Sequence, residues 1–265
     1  MEASAAMPEV AANIDWLFCE LPFMERFEEA ARAGFQAVEF LFPYSCPAVA
    51  IGDLLHCHGL TNVLFNLPPG DWASGERGIA ALPGRELEFR NSVELALSYA
   101  SMLKTRQLHV LSGIVPPGVE RAACVDTYLQ NLIYAADKAT SHGITLLVEA
   151  INPTDMPNYL VQTQAESSAV CAAPGTSNVR MQLDLYHMQM TEGGLADALR
   201  RYRTLYSHVQ IAGAPARHEP DVGIIDYPPL FDLLDELGYE GCAGCEYKPI
   251  ENTLDGLGWY RKQRR

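Results

Sequence analysis

The stretch Ile144-Thr-Leu-Leu-Val-Glu149 decides how this chain is read. It is a short apolar run that ends on a carboxylate, and it reads as a buried strand. The pattern returns 35 residues later, where Val179-Arg-Met-Gln-Leu ends on Asp184. It returns again after 26 residues at His208-Val-Gln210, and after a further 36 at Cys242-Ala-Gly-Cys-Glu246. Each interval has the length of one strand-loop-helix-loop unit. If the strands are parallel and the sheet closes, all four polar side chains meet at one face. Three carboxylates and an amide oxygen brought together repel one another unless a hard divalent cation sits between them. Glu149, Asp184, Gln210 and Glu246 are therefore candidate metal ligands.

Working outward, the same alternation covers the chain. Strand candidates are Val10–Ile14, Ala37–Phe40, Thr61–Asn66, Gln107–Leu111, Thr145–Glu149, Val179–Asp184, His208–Ile211 and Cys242–Glu246. Helical patterns follow over Phe23–Ala33, Ala48–His58, Leu87–Leu103, Ala122–Ser141, Gln164–Cys171, Leu195–Tyr206, Pro229–Leu237 and Leu254–Lys262. Gly34, Gly59, Gly143 and Gly238 stand just past helices, where a left-handed cap is wanted. Eight strands alternating with eight helices predict a parallel α/β sheet with helices outside, closed as a single-domain (β/α)8 TIM barrel over residues 1–265. A doubly wound open sheet is the alternative. The longer loops follow strands, at Pro68–Gly84, Gly113–Gly118, Asn152–Tyr159 and Ala212–Tyr227. That is the face on which (β/α) barrels carry their active sites.

Composition narrows the classes. The 265-residue chain is 48% hydrophobic and carries a formal charge of −14. Such a chain fills one barrel and repels nucleic-acid phosphates. No apolar run reaches the roughly 20 residues of a membrane helix. Met1–Pro8 lacks the basic start and apolar core of a secretory signal, so a cytoplasmic protein is expected. Seven scattered cysteines read as reduced thiols. Cys242 and Cys245 form a C-x-x-C, but on a strand residues three apart point to opposite faces, so packing is expected there. The nucleophile elbow, the P-loop and the dinucleotide glycine motif are all missing from the sequence.

Period two turns Leu147 and Thr145 inward with Glu149, His208 with Gln210, Gln182 with Asp184, and Gly244 with Glu246. Several further residues stand near the same face, each with two readings. His187 in Asp-Leu-Tyr-His would hydrogen-bond a substrate oxygen, or be a satisfied structural histidine. Arg217 on the loop after the seventh strand would fork onto a substrate carboxylate, or pair with an acid such as Glu219. Lys248 would be an anion contact or a solvated charge. Asn66, His109 and Glu39 would line a pocket or serve structure. The Pro68–Trp72 loop would cover the site or simply cap the barrel.

Several stretches together resemble the hydroxypyruvate isomerase family, within the xylose isomerase-like barrels. They are Ala37-Val-Glu-Phe-Leu-Phe-Pro-Tyr44, Asn66-Leu-Pro-Pro-Gly-Asp-Trp72, Leu147-Val-Glu-Ala-Ile-Asn152, Gln182-Leu-Asp-Leu-Tyr-His-Met-Gln189, His208-Val-Gln-Ile-Ala-Gly213, Pro215-Ala-Arg-His-Glu-Pro220 and Gly244-Cys-Glu-Tyr-Lys-Pro249. The resemblance implies one divalent metal on Glu149, Asp184, Gln210 and Glu246, with Glu149 and Glu246 as the catalytic acid–base pair. Mg²⁺ and Mn²⁺ head the expected ions, with Co²⁺ and Zn²⁺ also suited. It further implies an aldose–ketose isomerase of a small 2-oxo-3-hydroxy acid, hydroxypyruvate giving tartronate semialdehyde through an enediolate. Relatives acting on 2-oxo-tetronates, some as the phosphate, share these motifs. His187, Arg217, Lys248, Asn66 and His109 are the expected substrate contacts. Neither nucleic acid nor membrane is an expected partner, and a homo-oligomer is compatible with the sequence. A sugar epimerase would use a similar glutamate pair. A metal-dependent endonuclease would need a basic face, and a non-catalytic sugar-acid binder would have little use for two converging glutamates.

Overall fold

In the computed structural model, which describes residues 8–263, each apolar run forms one strand of a parallel barrel. The strands are β1 (Val10–Asn13), β2 (Ala37–Glu39), β3 (Thr61–Asn66), β4 (Gln107–His109), β5 (Thr145–Glu149), β6 (Val179–Asp184), β7 (Tyr206–Ile211) and β8 (Ala243–Cys245). They pair in chain order, and Val10–Ala12 pairs with Ala243–Cys245 to close the ring. The open-sheet alternative is thereby removed. The helices are α1 (Arg26–Arg32), α2 (Ala48–His58), α3 (Glu86–Leu103), α4 (Arg121–Thr140), α5 (Gln164–Ala172), α6 (Leu185–Thr191), α7 (Leu195–Tyr202), α8 (Tyr227–Glu236), α9 (Thr253–Gly256) and α10 (Gly258–Gln263). Their apolar faces and the outward residues of the strands form one continuous core, from Val10 through Leu146, Val148, Leu183 and Val209 to Trp259.

Five strands, β1, β2, β4, β7 and β8, have ends one or two residues from the expected ones, and three further elements differ more. Helix α6 stands where no helix was expected, directly after β6. Asp184 caps it, its Oδ1 accepting from the amides of Tyr186 at 2.7 Å and His187 at 3.2 Å. The helix expected over Leu195–Tyr206 stops at Tyr202, because Tyr206 already pairs with Met181 in the sheet. The last helix breaks at Leu257, between Gly256 and Gly258, where the chain gives up helical backbone between two poor helix formers. Gly34, Gly59, Gly143 and Gly238 all take positive φ at helix ends, as the capping pattern required. The amino-terminal segment read for a secretory signal lies largely outside the described residues.

All seven cysteines are free thiols, and Cys245 packs into the outer core. Among the described residues, no helix is long and apolar enough to cross a membrane.

Inside the ring the residues are unusually polar. Asn13, Glu39, Gln182, His208 and Gln210 are all buried. The Glu39 carboxylate crosses to the β8 side, and a Cβ on Gly244 would overlap it. Gly244 is therefore a spatial requirement, not a loose link in the strand. We expect Gly244→Ala to lower stability by about 1–3 kcal/mol, as overpacking does. Urea denaturation measures it, and an unchanged midpoint would show that Glu39 has room to move.

Candidate active site at the carboxyl ends of the strands

Parallel register sets the depth of each side chain. Glu149 stands level with Gln182, Asp184 with Gln210, and Gln210 with Gly244. Glu246 follows β8 by one residue, and its amide donates to Ile211 O at 3.2 Å. Thus the four residues singled out by spacing do reach one end of the barrel. Asp184 divides its oxygens. Oδ1 caps α6, while Oδ2 faces Arg217 at 3.1 Å and His187 Nε2 at 3.7 Å.

Arg217 is the centre of charge. One guanidinium nitrogen bridges Asp184 Oδ2 and Glu246 Oε1, the latter at 2.9 Å, and its Nε donates to Glu246 O at 3.2 Å. The guanidinium lies over the rings of Trp16, with its centroid at 4.6 Å, and Tyr186, at 4.9 Å. Its backbone sits at φ 55°, a left-handed position that a non-glycine residue holds at a cost of about 1–3 kcal/mol. Of the two sequence readings, the acid partner is real, but it is Asp184 with Glu246 and not Glu219.

Beneath them lies a polar floor. Gln210 Nε2 donates to Glu246 Oε2 and, at 2.7 Å, to Glu39 Oε1, while its Oε1 accepts from Gln182 Nε2 at 2.6 Å. Glu39 is held in turn by Asn13 Nδ2 at 3.0 Å and His208 Nε2 at 2.7 Å. Glu39 is thus part of the barrel interior, not of the pocket wall. Gln210 turns its amide nitrogen toward the carboxylates, so its oxygen reaches a cation only after the amide turns over.

Above the floor opens a cavity of about 450 Å³. Glu149, Glu246, His187, His109, Asn66, Arg217 and Lys248 line it, whereas Asp184 and Gln210 lie just below. Every residue expected to touch substrate therefore faces the cavity. The sequence reading turned Gln182 inward, and it lines the cavity too, but it passed over Trp16, Phe42, Asp155 and Tyr186, which line it as well. Trp16, Phe42 and Asp155 follow β1, β2 and β5 closely, so the strand-end rule that flagged Glu149 would have flagged them. Trp72 from the long loop after β3 reaches the opening, 5.1 Å from Phe42, with the Arg77 guanidinium 4.0 Å above its ring. That loop is tied to the next one. Gly78, at φ 115°, rests on Leu111, and Gly113, at φ 102°, rests on the Gly78 carbonyl so closely that neither could carry a side chain.

Electrostatics follow from burial. Desolvation, with the charges of Asp184 and Glu246, holds Glu149 well above the ordinary carboxylate range. Burial also raises Asp184 and Glu246, against the pull of Arg217. Burial drives His109 down to about 3 and His187 well below its usual value, so both rings are neutral. For Arg217, burial opposes the charge, but the surrounding carboxylates outweigh it.

Buried polar atoms of the site lack partners. Glu149 Oε1 has no hydrogen-bond partner, and neither has the nearby Nε2 of His109. Glu149, Asp184 and His187 offer ligand atoms within 4.8 Å of one another. Three converging carboxylates with one oxygen unused suit a hard divalent ion.

The chain matches the family described as Xylose isomerase-like TIM barrel over residues 27–263. It is 48% identical to a 2-oxo-tetronate isomerase of Cupriavidus necator, covering 96% of this chain and 98% of that one. It is 40% identical to the hydroxypyruvate isomerase of Escherichia coli, with 96% and 98% covered. A crystal structure from Brucella melitensis, described as an AP endonuclease of family 2, superposes with a TM-score of 0.95 at 50% identity, covering 97% of this chain and 99% of that one.

Arg217→Met leaves the buried Asp184 and Glu246 without their counter-charge. The expected loss is about 3–5 kcal/mol of stability, as when one partner of a buried ion pair is removed. Denaturation in the presence of EDTA checks it, and a loss below about 1 kcal/mol, the range of exposed pairs, would show that Arg217 is not the balancing charge.

Proposed function

This chain belongs to the xylose isomerase-like TIM barrel family and is an isomerase, and from that premise we propose that it interconverts a 2-oxo-3-hydroxy acid and the corresponding 2-hydroxy-3-oxo acid. The observation that carries this reading is the pair Glu149 and Glu246, both buried and both lining one cavity together with Arg217 and Lys248. The reaction moves one proton between neighbouring carbons. One glutamate takes the proton from C3, an enediolate forms, and the other glutamate delivers a proton to C2, while the hydroxyl proton passes from O3 to O2.

The remaining residues bind and orient. Lys248 is exposed at the cavity, and among the described residues its ammonium has no ion-pair partner, so it is free to meet the substrate carboxylate. His187, His109 and Asn66 face the substrate's oxygens. Trp16, Phe42 and Trp72 wall the site against water. Glu149, Asp184 and Glu246, joined by Gln210 once its amide turns over, would hold a divalent cation such as Mg²⁺ or Mn²⁺. That cation would supply positive charge for the enediolate.

Hydroxypyruvate and a four-carbon 2-oxo-tetronate both satisfy this chemistry. The cavity of about 450 Å³ admits either acid, and the similarity to relatives favours the larger one. The relatives agree in order: 44–48% identity to 2-oxo-tetronate isomerases, 38–42% to hydroxypyruvate isomerases and their putative counterparts. An endonuclease role for this chain finds no support in its charge of −14, which opposes a DNA backbone.

Proton NMR in D₂O tests the reading. A 2-oxo-tetronate and hydroxypyruvate are each followed with Mg²⁺ or Mn²⁺ and with EDTA. We expect deuterium to enter at the carbon that gains the proton, with loss of the reaction on chelation. Glu149→Gln and Glu246→Gln should each lower turnover by about 10²–10⁴-fold. Near-normal turnover in either variant would remove that residue from the proton transfer.

A further inference from the structure

His187 lies within reach of a cation and of the substrate, and distance alone does not choose between them. A residue the reaction has not yet used makes the choice. Asn152, wholly buried after β5, places its side-chain Nδ2 2.7 Å from His187 Nδ1, and its backbone nitrogen points at the same atom from 3.5 Å. The polarity of that contact depends on which way the Asn152 amide is turned, and three bonds fix it. Its Oδ1 accepts from the amides of Thr154 at 3.0 Å and Asp155 at 2.9 Å. Its Nδ2 also donates to Asp155 Oδ2 at 3.0 Å. Turning the amide over would set its NH₂ against two N–H donors and its oxygen against a carboxylate, losing three bonds at once. Asp155 Oδ2 is held in place by the Tyr186 hydroxyl at 2.9 Å. At 4.0 Å it is too far to take a proton from His187 Nδ1.

Nδ1 of His187 therefore accepts a hydrogen bond, and the ring's proton sits on Nε2. Nε2 is the nitrogen that lies 3.7 Å from Asp184 Oδ2, on a ring that lines the cavity. A histidine that ligates a metal has the opposite arrangement, donating from its far nitrogen to a carbonyl or carboxylate so that the near one is bare. We propose that Asn152 is a positioning residue that fixes His187 as an Nε2–H donor to the reacting oxygen and excludes its imidazole from the ligands of the cation. The donor role rests on the isomerase reading above; the tautomer does not. A neutral N–H donor aimed at the oxygen where enediolate charge develops stabilises that charge without surrendering a proton.

The test reads the tautomer directly. In ¹⁵N-labelled full-length protein treated with EDTA, long-range ¹H–¹⁵N spectra report which ring nitrogen of His187 is protonated, with the signal assigned by its loss in His187→Gln. We expect the protonated-type shift at Nε2 and the bare type at Nδ1, unchanged when Mg²⁺ is added. A proton on Nδ1 with a bare Nε2, before or after Mg²⁺, overturns the proposal and makes His187 a ligand. Asn152→Asp replaces the donor with an acceptor and should move the proton to Nδ1. Its kcat should then fall about 10–100-fold with little change in KM. A moved proton with unchanged kcat would overturn the role at the reacting oxygen. No substrate is present in the NMR measurement, so its failure is distinct from failure of the isomerase reading, which deuterium exchange decides.

Discussion

Three carboxylates buried at one end of a barrel cannot stay ionised together without positive charge, and the rest of the site is arranged around that constraint. Arg217 supplies part of the charge. It reaches Asp184 and Glu246 from a strained loop position and lies over the rings of Trp16 and Tyr186. Glu149 is left with an unpartnered oxygen and a carboxyl pushed strongly toward protonation. The protein thus pays for convergence with desolvation, which stability alone would not select. The cation proposed for this site would relieve that imbalance, and the imbalance is why these residues read as a reaction centre and not as a structural ion-pair network.

The order of the acids depends on a layer below them. The floor runs Asn13, Glu39, Gln210 and Gln182, with His208 closing on Glu39. It joins β1, β2, β6 and β7 across the bore through hydrogen bonds, not apolar packing. An interior of this kind holds each side chain in one orientation, because an unpaired polar group there costs about 1–3 kcal/mol. Gly244 belongs to the same layer, since its missing side chain is the space that Glu39 fills.

Most of the fold was legible because strand period and helix caps are local. The runs ending at Glu149, Asp184 and Gln210 marked the strands, and the capping glycines marked the helix ends. Closure followed only from counting eight units. Helix α6 was hidden because Asp184 serves two purposes, and its role as a cap is invisible beside its role as an acid. The pairing of Arg217 with Asp184 and Glu246 could not be read either, since it joins residues 33 and 29 positions apart through a left-handed turn. Trp16 and Asn152 were within reach of the same strand-end rule. Nothing in sequence, however, reveals the direction of an amide, and the polarity at His187 hangs on one.

The contact between Gly78 and Gly113 has a consequence for how this scaffold changes over time. Barrels of this type are valued as modular, with each loop free to vary while its neighbours stay put. Here the segment that carries Trp72 to the cavity is seated backbone to backbone on the segment after β4. The two cannot be exchanged, lengthened or recombined one at a time. A new substrate preference introduced through the Trp72 side has to arrive as a matched pair of loops, so divergence of specificity on this wall is stepwise only in units of two.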